Sequence, residues 1–312
     1  MATGGAVGRS IALTVRPFLR RSVLYRTLQG WLFIGPVVFG TLIFNVLPMI
    51  PTIYTSFTWW EGLTAPKWIG LENYARALGG HDPNFTTGLV NTLLYMAGYV
   101  PGGMLAGLAL ALIVNERLRG ITFVRAAFYL PVISSIVAIG VVWKWIFNWQ
   151  YGLLNALLEL VGIMGPRWLS DQRWAMVAVI IVAIWSVMGY NMVLFLAGLQ
   201  GIPPSLEEAA EIDGADAWQR LVHVKLPLLT PTIFFVAIMS VIGSFQVFGL
   251  IYVMTGGGPG TSTYVYVYHM WQEGFMRRSF GYGSALAWML FVVIALVTWF
   301  QWKMSDRWVH YQ

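Results

Sequence analysis

Long apolar runs separated by short polar ones make up most of the chain. Stretches free of Asp, Glu, Lys and Arg run near 28–50, 87–114, 126–143, 174–199, 232–254 and 284–302. Each is comparable to the roughly 20 apolar residues that a helix needs to cross a bilayer core. The runs are continuous, whereas the strands of a membrane β-barrel alternate. The pattern therefore predicts an all-α, polytopic transmembrane helical bundle of six spans. It divides the chain into an N-terminal segment 1–27, a membrane domain 28–302 and a C-terminal tail 303–312. Nearly all that lipid would exclude lies between the runs.

Composition agrees with this pattern: 58% of the 312 residues are hydrophobic and 10% are charged, against roughly 25% charged in a soluble domain. Positive charge sets the orientation. The side holding both termini carries twelve of the nineteen basic residues, Arg9, Arg16, Arg20, Arg21, Arg26, Arg117, Arg119, Arg125, Arg220, Lys225, Lys303 and Arg307. The other seven, Lys67, Arg76, Lys144, Arg167, Arg173, Arg277 and Arg278, fall opposite, so both termini are expected in the cytoplasm. The net charge of +6 is spread over loops and forms no stripe that would suggest nucleic acid. The chain has no Cys, which excludes disulfide and thiolate chemistry. The first apolar run is too long for a signal peptide and should stay as a span.

The cytoplasmic segment 200–231, between spans four and five, is exceptional. Residues 207–216 hold five of the thirteen acidic residues. Ser205 and Glu208 have capping-box spacing, with Glu207 and Glu208 in a first helical turn that favours negative charge. Asp213-Gly214 should break this helix. A second helix would place Trp218, Leu221 and Val222 on one face, and Pro227 would end it. A solvated hairpin is one reading of this pattern, a docking element the other.

Glu208-Ala209-Ala210, three residues, Gly214, nine residues and Val224-Lys225-Leu226-Pro227 resemble the EAA loop of bacterial ABC importer permeases, with Val224 where Ile is common. Leu130 to Asn155 resembles the third span and following loop of the carbohydrate permeases of the MalF and UgpA type. Met254 to Phe275 is similar to their outer loop after span five, and 280–298 to their last span. The chain lacks the additional N-terminal spans and large insertion of MalF itself and is nearer the six-span permeases. The resemblance implies a subunit of a bacterial cytoplasmic (inner) membrane importer for oligosaccharides, polyols or glycerol-phosphate-type solutes. Its partners would be a second permease, two ATP-binding subunits that hold ATP and Mg, and an extracytoplasmic substrate-binding protein. The coupling contact would fall on Glu207, Glu208, Ala209, Ala210, Asp213 and Gly214.

The chain has no Gly-x-x-x-x-Gly-Lys-Ser/Thr loop, so the ATPase and its cofactors belong to partners and the chain itself is not an enzyme. Thr255 to Gly260 is Gly-rich but lacks the Lys, and reads as a loop at the mouth of span five. A self-contained secondary transporter of a neutral solute is the alternative; it is disfavoured by spans without carboxylates and by the absence of inverted repeats. Neutral polar residues at mid-membrane depth are the substrate-pathway candidates: Tyr190 and Asn191 in span four, and Ser240, Ser244 and Gln246 in span five. The resemblance places Tyr190, Ser240 and Ser244 at positions lining the sugar site. Each could instead serve helix–helix hydrogen bonding. His81, His223, His269 and His310 have no metal-ligand spacing and are expected in water or at interfaces. Glu273, Arg277 and Arg278 are expected on the outer surface, where a binding protein would dock. Trp59, Trp60, Trp68, Trp143, Trp145, Trp149 and Trp271 read as an aromatic belt.

Overall fold

A computed structural model describes the backbone of residues 11–116 and 120–305. Arg9, Arg117, Arg119, Arg307 and His310, with their part in the orientation argument, lie outside the described residues, as do the side chains of Arg16, Arg20, Arg21 and Arg26. The chain divides into two units, 1–55 and 56–312. In the first, α1 (Ile11–Thr41) continues through a π turn (Leu42–Val46) into α2 (Leu47–Ser56). Its apolar residues are exposed, Leu32 at 74% and Phe33 at 81%, as a helix solvated by lipid requires.

The second unit starts with a two-stranded antiparallel ribbon, β1 (Thr58–Trp59) and β2 (Lys67–Trp68), then α3 (Glu72–Leu78). Two long helices follow in the sequence pattern's places, α4 (Pro83–Asn115) and α8 (Gln172–Gln200). Their close approach is set by glycine. Gly98, Gly102, Gly103 and Gly107 of α4 face α8, and a Cβ built on Gly102 or Gly107 would lie 2.4 Å from Ile184 Cδ1 or Asn191 Cβ. Two Gly-x-x-x-Gly spacings thus let the backbones touch.

Span three is not one helix. α5 (Ile121–Ile133) and α6 (Ile136–Ile146) meet at an angle of 101° across Ser134 and Ser135. Pro131 occupies the last turn of α5, and Ser135 takes extended backbone before α6, so no continuous ladder of hydrogen bonds can form. Between α6 and α8 lies α7 (Leu153–Leu160). Span five is also interrupted. α12 (Thr230–Phe245) stops at Gln246, and α13 (Gly249–Met254) restarts after Phe248. α14 (Tyr266–Trp271), a π turn (Gln272–Met276) and α15 (Phe280–Ser305) complete the chain.

Among the described residues, Thr27–Ser56, α4, α8 and α15 are long and apolar enough to cross a membrane. The number rises to six if each of two bent pairs counts once: α5 with α6, and Ala217–Leu228 with α12, the latter bent by 68°.

Candidate functional site

Three polar regions stand out in the second unit. The first is a cavity of about 440 Å³ where the break in span three meets the break in span five. Tyr95, Tyr99, Ser134, Ser186, Tyr190, Gln246 and Phe248 line it, and no Asp, Glu, Lys, Arg or His does. Tyr95 and Tyr99 stack at 5.2 Å and 13°. The walls offer aromatic faces and neutral donors and acceptors, a chemistry that matches hydroxyl-rich uncharged rings.

Of the five expected pathway residues, the structure brings Tyr190 and Gln246 together at this cavity. Asn191, 2% exposed, instead donates from Nδ2 to the Gly103 carbonyl at 3.0 Å. It points into the α4–α8 seam one residue round the helix from Tyr190. Ser244 is fully buried and donates to the Val241 carbonyl of its own helix at 2.6 Å. Ser240 is 6% exposed and, like Ser244, is not among the lining residues. Tyr95, Tyr99 and Ser186 were missed, because tyrosines and a serine inside apolar runs carry no signal until the breaks in the neighbouring spans are located.

The second region is a helical hairpin, α9 (Pro204–Ile212), α10 (Ala217–Arg220), a π turn (Leu221–Lys225) and α11 (Leu226–Leu228). The expected Ser205–Glu208 box does not form. Pro203 is the N-cap and Pro204 the first helical residue, with no side-chain cap; Pro has no N–H to satisfy there. The capping box lies in the second helix instead, where Asp216 Oδ1 accepts from Gln219 N at 2.7 Å and Gln219 Oε1 from Asp216 N at 2.9 Å. Gly214 closes α9 at φ +83°, with Ala215 N donating to Ala210 O and Gly214 N to Glu211 O at 2.9 and 3.1 Å. This is a Schellman closure, which calls for the left-handed residue glycine supplies. Pro227 does not end the second helix, which runs on to Leu228 and turns at Leu229.

Ion pairs join the two arms of the hairpin, Glu207–Lys225 at 2.9 Å and Glu211–Arg220 at 2.8 Å. Glu207, Glu208 and Glu211 line a polar cavity of about 600 Å³ shared with Arg125 and the ends of α4 and α8. Ala210, Asp213 and Gly214 line a smaller cleft of about 430 Å³ within the hairpin. Ala209 is exposed, and so is Trp218 at 70%; its apolar face is not covered within this chain.

The third region was not foreseen. His269, Asp82 and Glu273 are all buried, against the expectation of a solvent or interface His269 and a surface Glu273. Asp82 caps α4, its Oδ1 accepting from Asn84 N and Phe85 N. Its Oδ2 accepts from Tyr282 Oη at 2.7 Å and lies 3.0 Å from His269 Nε2. His269 Nδ1 is 3.1 Å from Tyr264 Oη. Glu273 holds Arg76 at 3.2 Å and also pairs with Arg277. Burial raises the Asp82 carboxyl, but Tyr282, His269 and the two backbone donors outweigh it and hold it below its ordinary value. Burial lowers His269, with Asp82 and Glu273 pulling the other way, and pushes Tyr264 up to about 12.

Asp82, His269 and Glu273 bring ligand atoms within 4.8 Å of one another. The two guanidiniums already balance the two carboxylates, so a divalent ion would leave buried charge uncompensated; the cluster reads as an ion-pair knot. Trp143 and Trp271 pack against other rings, Trp143 5.4 Å from Trp185 and Trp271 5.1 Å from Tyr252.

Long apolar helices, two more broken around a neutral cavity, and a polar hairpin between α8 and α12 define a membrane-embedded subunit. Residues 100–309 match the family described as "Binding-protein-dependent transport system inner membrane component", and the chain belongs to it. It is 38% identical over 296 residues to the probable ABC transporter permease protein YesP of Bacillus subtilis, covering 94% of this chain and 95% of that one. It is 34% identical to the lactose transport system permease protein LacF of Rhizobium radiobacter, covering 93% and 97%. Its fold is similar to a chain of a bacterial ABC transporter involved in the import of the acidic polysaccharide alginate, with a TM-score of 0.78 and 25% identity over 94% of this chain and 98% of that one.

Proposed function

We propose that this chain is the permease subunit of an ATP-driven sugar importer, six spans with both termini in the cytoplasm, forming half of the pathway beside a second permease. The neutral, tyrosine-rich cavity between two broken helices is the observation that carries the reading. It suits a saccharide or polyol, with Tyr190 and Gln246 as the contacts and Asn191, Ser240 and Ser244 supporting them from the packed side. Similarity to permeases named for lactose and for alginate import supports a carbohydrate without identifying which one.

The hairpin is the coupling element. Two ATP-binding subunits push on α9, with Glu207, Glu208, Ala209, Ala210, Asp213 and Gly214 at the contact. A short helix closed by a Schellman turn and tied to its return arm by two ion pairs moves as a rigid body, as domain rotation requires. Co-expression with the neighbouring genes, followed by uptake in proteoliposomes, tests this. The complex should hold two ATPases and import sugar only with ATP; a lone chain that transports without ATP would replace this reading with a secondary transporter.

A further inference from the structure

The short helix α7 carries more apolar surface than the chain covers. Leu154 and Leu158 pack against the cluster around Phe147 and Trp168. Leu153, Ala156, Leu157, Leu160 and Val161, at i, i+3, i+4, i+7 and i+8, form a second apolar stripe, and all are exposed, Leu160 at 82%. That spacing is one continuous helix face. Asn155 and Glu159, four apart, share the remaining side.

The stripe is firmly held. Ile163 N donates to Leu158 O and Gly162 N to Glu159 O, both at 2.9 Å, with Gly162 at φ +77°, the same closure as at Gly214. Asn155 ties the flanks together. Its Nδ2 donates to Trp149 O and Pro166 O at 3.2 Å, and its Oδ1 accepts from Trp168 Nε1 at 2.7 Å. Past the turn, Met164 at 97% exposure extends the apolar surface.

What covers this face follows from its surroundings. In the chain α7 lies between α6, the second half of broken span three, and α8, a full span, so membrane segments tether it at both ends. Val141, Val142 and Trp145 of the adjoining α6 are exposed as well, so the apolar surface continues from a spanning segment into α7. The stripe is purely aliphatic. Protein interfaces draw their binding energy chiefly from Trp, Tyr and Arg, with Leu and Val under-represented, whereas lipid needs no such anchors. Lys144 and Arg167 are exposed on the flanking segments, the Arg167 guanidinium 4.7 Å over the ring of Trp149. Trp and long basic side chains are the residues of the headgroup region.

We propose that α7 is an interfacial helix, lying along the bilayer surface with its aliphatic stripe in the headgroup–acyl boundary and Lys144 and Arg167 at the phospholipid phosphates. It thereby anchors α6. That helix packs on α13 so closely that a Cβ on Gly140 would lie 2.8 Å from Val253, and the N-terminal ends of both helices line the neutral cavity through Ile136 and Gly249. Holding α7 at the interface sets the depth of that cavity wall. The inference rests on the membrane spans and not on the solute.

The chain has no Cys, so single cysteines can be introduced and spin-labelled. The full chain, co-expressed with the neighbouring genes, is reconstituted in phosphatidylcholine–phosphatidylglycerol vesicles, and the access of oxygen and of a water-soluble nickel chelate to each label is measured by power saturation. Labels on Leu157→Cys and Leu160→Cys should be several-fold more accessible to oxygen than to the chelate, and a label on Glu159→Cys should show the reverse. If either leucine variant does not assemble, Met164→Cys decides by the same readout. Chelate access at 157 and 160 equal to that at 159 overturns the proposal, since the stripe then faces water. Shielding from both reagents overturns it too, since a protein such as a second permease then covers the face. A label on Val141→Cys should change depth when Leu157→Asp and Leu160→Asp are added; an unchanged depth overturns the anchoring of α6.

Discussion

In the hairpin, Glu207 and Glu211 face Lys225 and Arg220 with 33% and 70% of their side chains exposed; in the buried knot, Glu273 faces Arg76 and Arg277 with 1% exposed. The chemistry is the same and the solvent differs. Water screens the hairpin pairs, so they contribute roughly 0–1 kcal/mol each and leave the hairpin's acidic face open to a partner. In the knot each group depends on the others, because an unpartnered buried charge costs several kcal/mol. The knot fixes the N-terminal ends of α4 and α15 to the segment from α14 through its π turn. Polar density marks a place for contact when exposed and a structural joint when buried.

The sharpest way to break this comparison is to remove one carboxylate from each region. Glu273→Ala should destabilise the complex by about 1–3 kcal/mol, since it leaves a hole beside buried His269 and Asp82 and unpairs Arg76 and Arg277, which are themselves half-exposed. Loss of the folded complex in a detergent melting experiment would show this, and a melting temperature equal to wild type would mean the knot is wet. Gly107→Leu, which must push against Asn191, should cost about 1–3 kcal/mol and perturb the Asn191–Gly103 contact, measured as weaker protection of α4 amides in hydrogen exchange.

Gly214→Val, at φ +83°, should cost about 1–2 kcal/mol locally yet cut sugar uptake more than ATP hydrolysis. Equal losses in the two would argue against a coupling role.

Acid should separate the regions next. Asp82 and His269 are both shifted down from 3.8 and 6.5. The Asp82 contribution is complete above 3.8 and is lost as pH falls through its lowered native value. His269 is lowered in the native protein by burial, so below 6.5 the unfolded chain binds more protons and stability falls. Melting temperature should drop between about pH 7.5 and about pH 5.5, and His269→Asn should flatten that slope. The smallest effect belongs to Glu211→Gln, which should change stability by less than about 1 kcal/mol and fall further as salt rises.

Much of the architecture was legible without coordinates, because a lipid-facing helix must be apolar along its whole length. The boundaries of spans two, four and six lie within a few residues of α4, α8 and α15. Gly214 was legible too, since a turn after an acidic helix has few other solutions. The breaks in spans three and five were not, because Ser134-Ser135 and Gln246-Val247-Phe248 are polar enough for a bend and apolar enough for a span. The capping box was misplaced because Ser205–Glu208 and Asp216–Gln219 both fit the spacing, and only the prolines at 203 and 204 decide between them. His269 and Glu273 looked exposed because loop sequence normally is.

Charge distribution, apolar run length and the spacing from Glu208 to Pro227 came from the sequence alone, and with them the membrane class and the acidic hairpin. Tertiary structure decided which polar residues meet. One helical step sends Tyr190 to the cavity and Asn191 to the α4–α8 seam, and a return loop drops His269 and Glu273 beside Asp82 nearly two hundred residues away. Those outcomes depend on helix rotation and on long-range packing, which no local run of residues encodes.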